Sequence, residues 1–407
     1  MKHTRSCHIY QMLKTSAKKR HVSFHTPGHK RGKWDITELS YSDNLSSPHG
    51  CIARAEKDIA EILGAAKSYL LTDGSTSGVF SMLHAAKAAG VKHLLVLGAV
   101  HKSVYNACAT LGITPIFTED YESVDGVLCT SPDYYGNIPD LKELRKICDE
   151  RGKWLLIDGA HGGHLHFDKT LYAGAYADLW VDGVHKSLPA LTQGAVVSAN
   201  SQRLAEHLRA AVDIFRTTSP SYPIMASVEY AVKYPENKKL ETLVRAYAKS
   251  EPRVEVRADY TKLCALFGDN AFQAEKYLER KGIYAEFCDG NVICFYLSPA
   301  TKTRSFARLK IRLKKAFKRY PYIPQKEVQR NPAPLVLGEN AQKEWVELTK
   351  SEGRICAANC GLFPPCTPLI YAGERIEKDK IRLLENADNV FGIIDKKIAV
   401  LKEKSEE

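Results

Sequence analysis

The sequence lacks features that define several other protein classes. No apolar run approaches the ~20 residues that a membrane helix needs, and the N-terminus has no apolar signal core. The eleven cysteines include no C-x-x-C pair, and no G-x-x-x-x-G-K-[ST] motif occurs. These absences argue against a membrane protein, a secreted protein and a P-loop nucleotide-binding protein. We therefore expect a cytoplasmic protein with reduced thiols.

Composition sets the size of the fold and weighs against two kinds of partner. The 407 residues support a large core and two domains, and the net charge is +11. Basic residues are concentrated at residues 14–31 and 304–319, and the second stretch has the apolar spacing of a surface helix. A solvated helix face explains this charge better than nucleic-acid binding. The histidines at 161, 164 and 166 and the cysteines at 356, 360 and 366 lack zinc-site spacing, so we expect no metal.

One lysine, Lys186, follows a short apolar run that is typical of a strand. Residues 179–181 lead into a polar turn that carries His185 and Lys186. A lysine at a strand end, beside apolar surface, loses its proton more easily than a solvated lysine. The neutral amine can form a Schiff base with an aldehyde, which is how pyridoxal 5'-phosphate (PLP) is held. The alternative is an ordinary surface lysine, since the chain has 58 Lys and Arg residues.

Three other features complete a possible PLP site. Asp158 ends an apolar run at residues 154–157, and a carboxylate there can keep a pyridine nitrogen protonated. The small and hydroxylic residues at 74–78 precede a helical stretch, whose N-terminal N–H groups suit a phosphate. His101 follows another apolar run and can stack on a flat ring. Each feature alone has an ordinary structural explanation, such as a helix N-cap. Four of them at successive strand or loop ends predict a PLP site.

The sequence resembles the Orn/Lys/Arg decarboxylase family of PLP enzymes, which have the aspartate aminotransferase-like fold (fold type I). The resemblance extends from about residue 24 to residue 374, and the chain is similar to the short form of the family. The matching motifs are F-H-T-P-G-H-K at 24–30, D-G-S-T-S at 73–77, V-H-K-S at 100–103, I-D-G-A-H-G-G-H-L-H at 157–166, V-H-K at 184–186, L-T-Q at 191–193, T-T-S-P-S-Y at 217–222 and P-P-C-T-P-L at 364–369.

The resemblance implies a role for each matching residue. Lys186 is the implied Schiff-base lysine, and Asp158 is the implied partner of the ring nitrogen. His101 and Ala160 are expected on the two ring faces, and His161 also at the cofactor. Phosphate ligands are implied at Ser75, Thr76, Ser77 and His185, with Ser219 approaching from the neighbouring subunit. Glu374 and Cys366 are implied at the substrate pocket.

The implied activity is decarboxylation of arginine, lysine or ornithine, giving the amine and CO₂, with a place in polyamine biosynthesis. The resemblance also implies a homodimer or a higher homo-oligomer with active sites at its interfaces. Lys186 or His185 is expected to return a proton to the α-carbon of the substrate, and Glu374 is expected to meet the distal charge of the substrate. Nucleic acid and membrane are not expected as partners.

Three departures from the family pattern keep two alternatives open. The family commonly has D-E-A-H where this chain has Gly159, a hydroxylic or small pair where it has Gly183 and Val184, and Gly where it has Cys366. One alternative is another PLP reaction, transamination or β-elimination, in which Arg354 or Arg375 grips the substrate carboxylate. The other is a non-catalytic regulatory or binding protein with the same fold.

The expected fold is α/β: a PLP-dependent transferase-like large domain with a mostly parallel seven-stranded sheet, and a smaller α+β C-terminal domain. The expected boundaries are an N-terminal arm at 1–35, the large domain at 36–250 and the small domain at 251–407. Helices are expected at 139–151, 201–214, 271–281 and 304–319, and across 222–249 with a break near Pro235.

Overall fold

A seven-stranded sheet forms the centre of the larger part of the molecule. The computed structural model describes residues 6–19, 22–30, 33–324, 342–364 and 366–402. The strands of the sheet are β1 (Lys67–Leu71), β2 (His93–Leu97), β3 (Thr114–Ile116), β4 (Gly126–Thr130), β5 (Trp154–Gly159), β6 (Leu179–Asp182) and β7 (Ala195–Ala199). Their order is β1-β7-β6-β5-β4-β2-β3. Only β7 runs antiparallel to its neighbours, which confirms the expected mostly parallel sheet.

Helices cover both faces of this sheet, as its continuous apolar strands require. The helices up to residue 250 are α1 (His8–Ser16), α2 (Cys51–Leu63), α3 (Ser75–Ala88), α4 (Lys102–Leu111), α5 (Leu141–Arg151), α6 (Val184–Ser187), α7 (Gln202–Phe215), α8 (Tyr222–Val232) and α9 (Lys238–Ser250). On one face α3, α4 and α7 bury a core with Met82 and Leu208. On the other face α2, α5 and α8 bury a core with Ile59 and Met225.

Side-chain caps fix where two of the expected helices begin. The Asp140 side chain accepts a hydrogen bond from the backbone N–H of Glu143, so α5 begins at Leu141. Ser201 caps α7 in the same way through the N–H of Leu204. Both helices lie within two residues of their expected bounds. The break near Pro235 is also confirmed, because α8 and α9 are separate helices.

The expected N-terminal arm contains a docked helix, which was not anticipated. Ile9 and Leu13 of α1 are buried, four residues apart on one face of the helix. Residues 1–5, 20, 21, 31 and 32 of the arm lie outside the described residues. In the H-T-P-G-H-K motif, residues 25–27 and Lys30 line a cavity of about 420 Å³, together with Asp35 and Tyr41.

An ionic cluster fastens α1 to α2 and α8. The side-chain atoms of His8, Asp58 and Glu229 that could coordinate a metal ion lie within 4.8 Å of one another. The ammonium of Lys233 lies 2.6 Å from Asp58 Oδ2 and 3.0 Å from Glu229 Oε1. Glu229 also accepts hydrogen bonds from the backbone N–H groups of His8 and Ile9 at the start of α1, so we assign the cluster a structural role.

The C-terminal part of the chain carries smaller sheets. The remaining strands are β8 (Val254–Val256), β9 (Lys262–Leu266), β10 (Phe287–Cys288), β11 (Val292–Tyr296), β12 (Lys343–Glu347), β13 (Gly361–Leu362), β14 (Val390–Phe391), β15 (Ile393–Ile394) and β16 (Lys397–Leu401). The antiparallel order β10-β11-β9-β8 forms one sheet. The remaining helices are α10 (Ala271–Glu279), α11 (Thr303–Arg319) and α12 (Lys378–Asn386). This mixture agrees with the expected α+β character, while the boundary at residue 250 stays a prediction.

The basic stretch at 304–319 is an amphipathic helix, as expected. In α11 the residues Phe306, Leu309, Leu313 and Ala316 are buried, and most of the basic side chains lie on the other face. Among the described residues, none of the helices has the length and apolar character needed to cross a membrane.

Candidate active site

The candidate site lies at one edge of the seven-stranded sheet. Strands β2, β4, β5 and β6 are parallel neighbours, so their carboxyl ends meet at the same edge. Asp158 is the second-last residue of β5, His101 follows β2, and Lys186 lies in α6 just after β6. The topology thus brings together three of the residues expected from the sequence.

Lys186 is held in a site that favours its neutral amine. Its Nζ lies 3.1 Å from Nε2 of His161. Burial lowers the pKa of Lys186, and the Asp158 carboxylate only partly opposes this effect. The two atoms are within hydrogen-bond distance, and the direction of the bond depends on the tautomer of His161. The lowered pKa of Lys186 favours the neutral amine that Schiff-base formation needs.

Asp158 is a buried carboxyl group at the base of the same site. It is 2% exposed, and its Oδ1 accepts a hydrogen bond of 3.1 Å from the backbone N–H of Ala160. Burial raises the pKa of Asp158, while the charge of Lys186 and the Ala160 N–H lower it. A buried carboxyl group in this position is suited to pair with a cationic ring nitrogen.

His161 lies between Lys186 and two tyrosines. Its ring centroid is 4.6 Å from that of Tyr134 and 5.4 Å from that of Tyr296. Burial holds the pKa of His161 well below its ordinary value, and the charge of Lys186 lowers it further. Within the described residues, the buried Nδ1 of His161 has no hydrogen-bond partner. His161 is thus a neutral imidazole in contact with Lys186.

His101 is the N-cap of α4 as well as a candidate ring-stacking residue. Its Nδ1 accepts a hydrogen bond of 3.1 Å from the backbone N–H of Ser103 and lies 2.8 Å from Ser103 Oγ. Burial lowers the pKa of His101 to about 3, and the charges of Lys186 and Lys102 contribute. A neutral imidazole is therefore fixed in orientation by the helix that it caps.

The expected phosphate-binding residues form the first turn of α3. Gly74 has a φ of +87°, a conformation that glycine adopts without a steric penalty, and Ser75 begins the helix. Ser77 Oγ donates to Asp73 Oδ1 and to the Gly74 carbonyl, each at 2.9 Å. Asp73 Oδ2 also accepts from the backbone N–H of Thr217. These contacts order the loop that ends in the positive end of α3.

Two further candidates for cofactor binding, His185 and Ser219, lie outside the first turn of α3. His185 Nδ1 lies 2.9 Å from the Gly194 carbonyl, so Nδ1 carries the proton and Nε2 is left as an acceptor. Burial lowers the pKa of His185. Ser219 is exposed, and its backbone N–H donates to Thr217 Oγ1 at 3.1 Å.

The two residues expected at the substrate pocket are already engaged. The Glu374 carboxylate is in contact with the buried Lys380, and its Oε2 accepts from the Tyr371 N–H at 2.8 Å. Cys366 is buried, and its carbonyl accepts from the Lys102 N–H at 3.1 Å. Burial raises the pKa of Cys366, and the charges of Lys102 and Lys186 oppose this effect.

Backbone geometry explains the glycines at positions 159 and 183 but not the cysteine at position 366. A Cβ at Gly159 would lie 2.9 Å from the Val181 carbonyl, and one at Gly183 would lie 2.4 Å from the Ala160 carbonyl. The strand ends are therefore packed too closely for a larger residue at either position. Cys366 has a φ of +61°, where glycine is the favoured residue.

Sequence reasoning missed several residues of the site. Tyr134 follows β4 and could have been found, because β4 neighbours β5 in the sheet. Tyr296, Lys262 and Glu286 come from the second sheet and gave no local signal. Lys262 lies in the apolar strand β9 and is fully buried. Glu286 is exposed, yet its charge raises the pKa values of the buried Tyr134 and Lys186.

The site and the fold together define a class of protein. A reactive buried lysine, a buried carboxyl, a neutral histidine and an ordered helix N-terminus are the chemical groups that PLP requires. Their positions at the carboxyl edge of a mostly parallel sheet, with a smaller α+β part, are those of fold type I. The residues present therefore fit PLP, and the protein is a PLP-dependent enzyme of this fold.

Comparison with known proteins identifies the family. The profile described as "Orn/Lys/Arg decarboxylase, major domain" matches residues 33–129 and 118–265, more than half of the chain. The arginine decarboxylase of Bacillus subtilis is 24% identical over 462 residues, covering 93% of each chain. The uncharacterized protein YaaO of the same organism is 28% identical over 451 residues, covering 92% of this chain and 93% of its own.

A solved structure supports the same fold. The constitutive lysine decarboxylase of Escherichia coli superposes with a TM-score of 0.73 at 18% identity, covering 98% of this chain and 82% of its own. The chain belongs to the Orn/Lys/Arg decarboxylase family and is a PLP-dependent decarboxylase.

Proposed function

We propose that this enzyme removes CO₂ from a basic amino acid, namely arginine, lysine or ornithine, and releases the corresponding amine. The observation that carries the proposal is the arrangement of Lys186, His161 and Asp158 at the sheet edge, with Nζ of Lys186 3.1 Å from a neutral imidazole. Bound PLP would supply a conjugated ring that accepts the electron pair released when CO₂ leaves.

The proposed roles follow the position of each residue. Lys186 would bind the cofactor aldehyde and Asp158 the ring nitrogen, with His101 and Ala160 on the ring faces. Ser75, Thr76 and Ser77 would hold the phosphate with the N–H groups of the first turn of α3, helped by His185. Ser219, which is exposed in the single chain, would act at a subunit interface.

Proton transfer would depend on the two groups next to the amine. After CO₂ is lost, the α-carbon of the substrate must gain a proton. Lys186 can deliver it, because its amine is held by His161 Nε2 at 3.1 Å. His185 is the other candidate, with a free Nε2 that can accept and return a proton once Nδ1 has bonded to Gly194.

Glu286 is better placed than Glu374 to meet the distal charge of the substrate. The Glu374 carboxylate is neutralised by the buried Lys380. The carboxylate of Glu286 forms no hydrogen bond or ion pair with the described residues, and its charge acts on Lys186, Tyr134 and Tyr296. Its neighbour Phe287 packs against Tyr134 and Tyr296, with ring centroids 6.3 and 6.4 Å apart. We therefore propose Glu286 as the recognition residue.

The decisive experiment is product analysis. Purified protein loaded with PLP is incubated separately with arginine, lysine and ornithine, and both CO₂ and the amine are measured. We expect one of the three to give equal amounts of both products, and Lys186→Ala to give neither. Keto-acid formation without CO₂ would instead indicate transamination, and no turnover of any amino acid despite bound PLP would indicate a binding protein.

The structure offers little support for the transaminase alternative. The Arg354 guanidinium contacts Glu344 and donates to the Leu401 carbonyl at 3.0 Å. Arg375 is exposed and donates to the Gly353 carbonyl. Both side chains are therefore committed to the C-terminal strands rather than to a substrate carboxylate.

We further propose a homodimeric or larger assembly, a cytoplasmic location and a role in polyamine biosynthesis. Eleven free cysteines, all buried, suit a reducing compartment. Light scattering of the purified protein tests the assembly directly, and a monomer with full activity would contradict an interface active site.

A further inference from the structure

A second buried lysine, Lys262, lies beneath the candidate active site. It is fully buried on β9, and its Nζ lies 3.1 Å from Oδ2 of the equally buried Asp259. Thr261 Oγ1 lies 3.0 Å from the same Nζ. Oδ1 of Asp259 lies 2.9 Å from Nε2 of His164, which comes from the seven-stranded part of the molecule. The pair therefore joins the second sheet to the segment that follows Asp158.

Contacts of Lys262 lead directly to the residue that holds Lys186. Its Nζ donates to the His161 carbonyl at 3.5 Å and lies 4.3 Å from the ring centroid of Tyr296. The Tyr296 ring in turn packs against the His161 imidazole. His161 is thus placed between two amines, with Lys186 at its Nε2 and Lys262 behind its backbone.

Stability alone gives no reason for a charged pair in this position. Apolar residues of similar volume usually stabilise a buried site as well as an ion pair does, because both ions must be desolvated. A cation behind His161, however, disfavours protonation of both the His161 imidazole and the nearby Lys186 amine. The charge of Lys262 also lowers the pKa of His161, and only burial and the charge of Lys186 have larger effects.

We propose that Lys262, held by Asp259, is a positioning residue whose buried cation behind His161 favours the neutral amine of Lys186 and the neutral imidazole beside it. The proposal rests on the proposed role of Lys186 as the cofactor-binding lysine. The other titratable groups that face Lys186 or His161 are Asp158, His101, Glu286 and Cys366, together with Tyr134 and Tyr296. Lys262 and Asp259 differ from these groups in that they belong to β9 and the turn before it.

The test measures the pH dependence of PLP loading, which needs no decarboxylation. Apo protein is mixed with PLP between pH 6 and pH 10, and the rate at which Schiff-base absorbance appears is recorded. Loading requires the neutral Lys186 amine, so the midpoint of the profile reports on its protonation. The variants are Lys262→Met, the double variant Asp259→Asn/Lys262→Met, and Lys233→Met as the matched control.

We expect Lys262→Met to move the midpoint upward by about 1 pH unit, since a nearby cation is lost and Asp259 is left unpaired. The double variant should move it upward by less, because the unpaired carboxylate is also removed. Lys233→Met should leave it unchanged, since Lys233 is paired with Asp58 and Glu229 in the cluster at α1.

A profile of Lys262→Met that superposes on that of the native protein would overturn the proposal. The same shift in all three variants would also overturn it, because a general loss of structure would then be the cause. If Lys262→Met fails to fold, the uncharged double variant decides: it must still show an upward shift. A native protein that fails to load PLP at all would instead refute the proposed role of Lys186.

Discussion

Replacing Glu286 and Glu374 separately by Gln distinguishes the two acids that are candidates for the distal charge of the substrate. The two carboxylates have opposite environments. Glu286 is exposed and forms no ion pair with the described residues, whereas Glu374 contacts Lys380, whose side chain is fully buried. We expect Glu286→Gln to affect substrate binding and Glu374→Gln to affect stability.

The expected magnitudes follow from these environments. Two unit charges ~4 Å apart in a solvated setting interact by about 1 kcal/mol, so Glu286→Gln should raise KM for the basic substrate about fivefold. Glu374→Gln leaves the buried Lys380 ammonium with only the exposed Glu377 carboxylate, 3.6 Å away, so it should lower the free energy of unfolding by about 2 kcal/mol. A solvated charge is also screened, so the KM effect of Glu286→Gln should shrink in about 0.5 M salt.

The assays are steady-state kinetics with the preferred amino acid and unfolding in denaturant. Both are performed on each variant and on the native protein at matched PLP concentration. The reasoning would be refuted if Glu374→Gln raised KM with an unchanged unfolding midpoint while Glu286→Gln left KM unchanged. In that case the Glu374 carboxylate would leave Lys380 and contact the distal charge of the substrate.

Three other changes test separate parts of the site. Lys186→Ala should abolish the visible Schiff-base absorbance of protein mixed with PLP, and a band of native intensity would contradict its role. Gly159→Glu should lower the free energy of unfolding by about 2 kcal/mol, because its Cβ would lie 2.9 Å from the Val181 carbonyl. An unchanged denaturation midpoint would contradict that close packing. Burial raises the pKa of Asp182 to about 7, so the folded state binds this proton more tightly than the unfolded state. The free energy of unfolding should therefore fall as the pH rises from about 4 to 7, by at most about 1.4 kcal/mol per unit, and a slope that persists in Asp182→Asn would assign it to another group.

Local sequence signals indicated the strands that carry the candidate site, while the seven-stranded sheet was implied by the family resemblance. Apolar runs followed at once by Asp158, His101 or the His185–Lys186 pair indicated buried strands with polar ends, and the structure places these residues at one edge. Such reasoning works because parallel strands bring their carboxyl ends together without any long-range information. The helix bounds were also within two residues where a side-chain cap defined them, as at Asp140.

The rest of the site depends on contacts between distant segments. Lys262 lies 76 residues after Lys186 in the chain, on a strand whose apolar neighbours gave no sign of a functional cation. Glu286 is one of many exposed acids in the sequence, and only the fold brings its charge to bear on Lys186. Glu374 was expected at the substrate, and its contact with Lys380 depends on α12, which the sequence did not indicate.

Charge balance around Lys186 connects these residues to substrate choice. Asp259 compensates Lys262 through their 3.1 Å ion pair, and Asp158 faces Lys186 and the ring nitrogen that PLP would bring. Among the described residues, the carboxylates whose charge raises the pKa of Lys186 are those of Asp158 and Glu286. Of these two, Glu286 forms no ion pair within the described part of the chain. The chain as a whole carries a net charge of +11 and would repel a cationic substrate, so recognition must be local. A basic amino acid would supply the distal cation for the proposed contact with Glu286, whereas an amino acid with a neutral side chain would gain nothing from it.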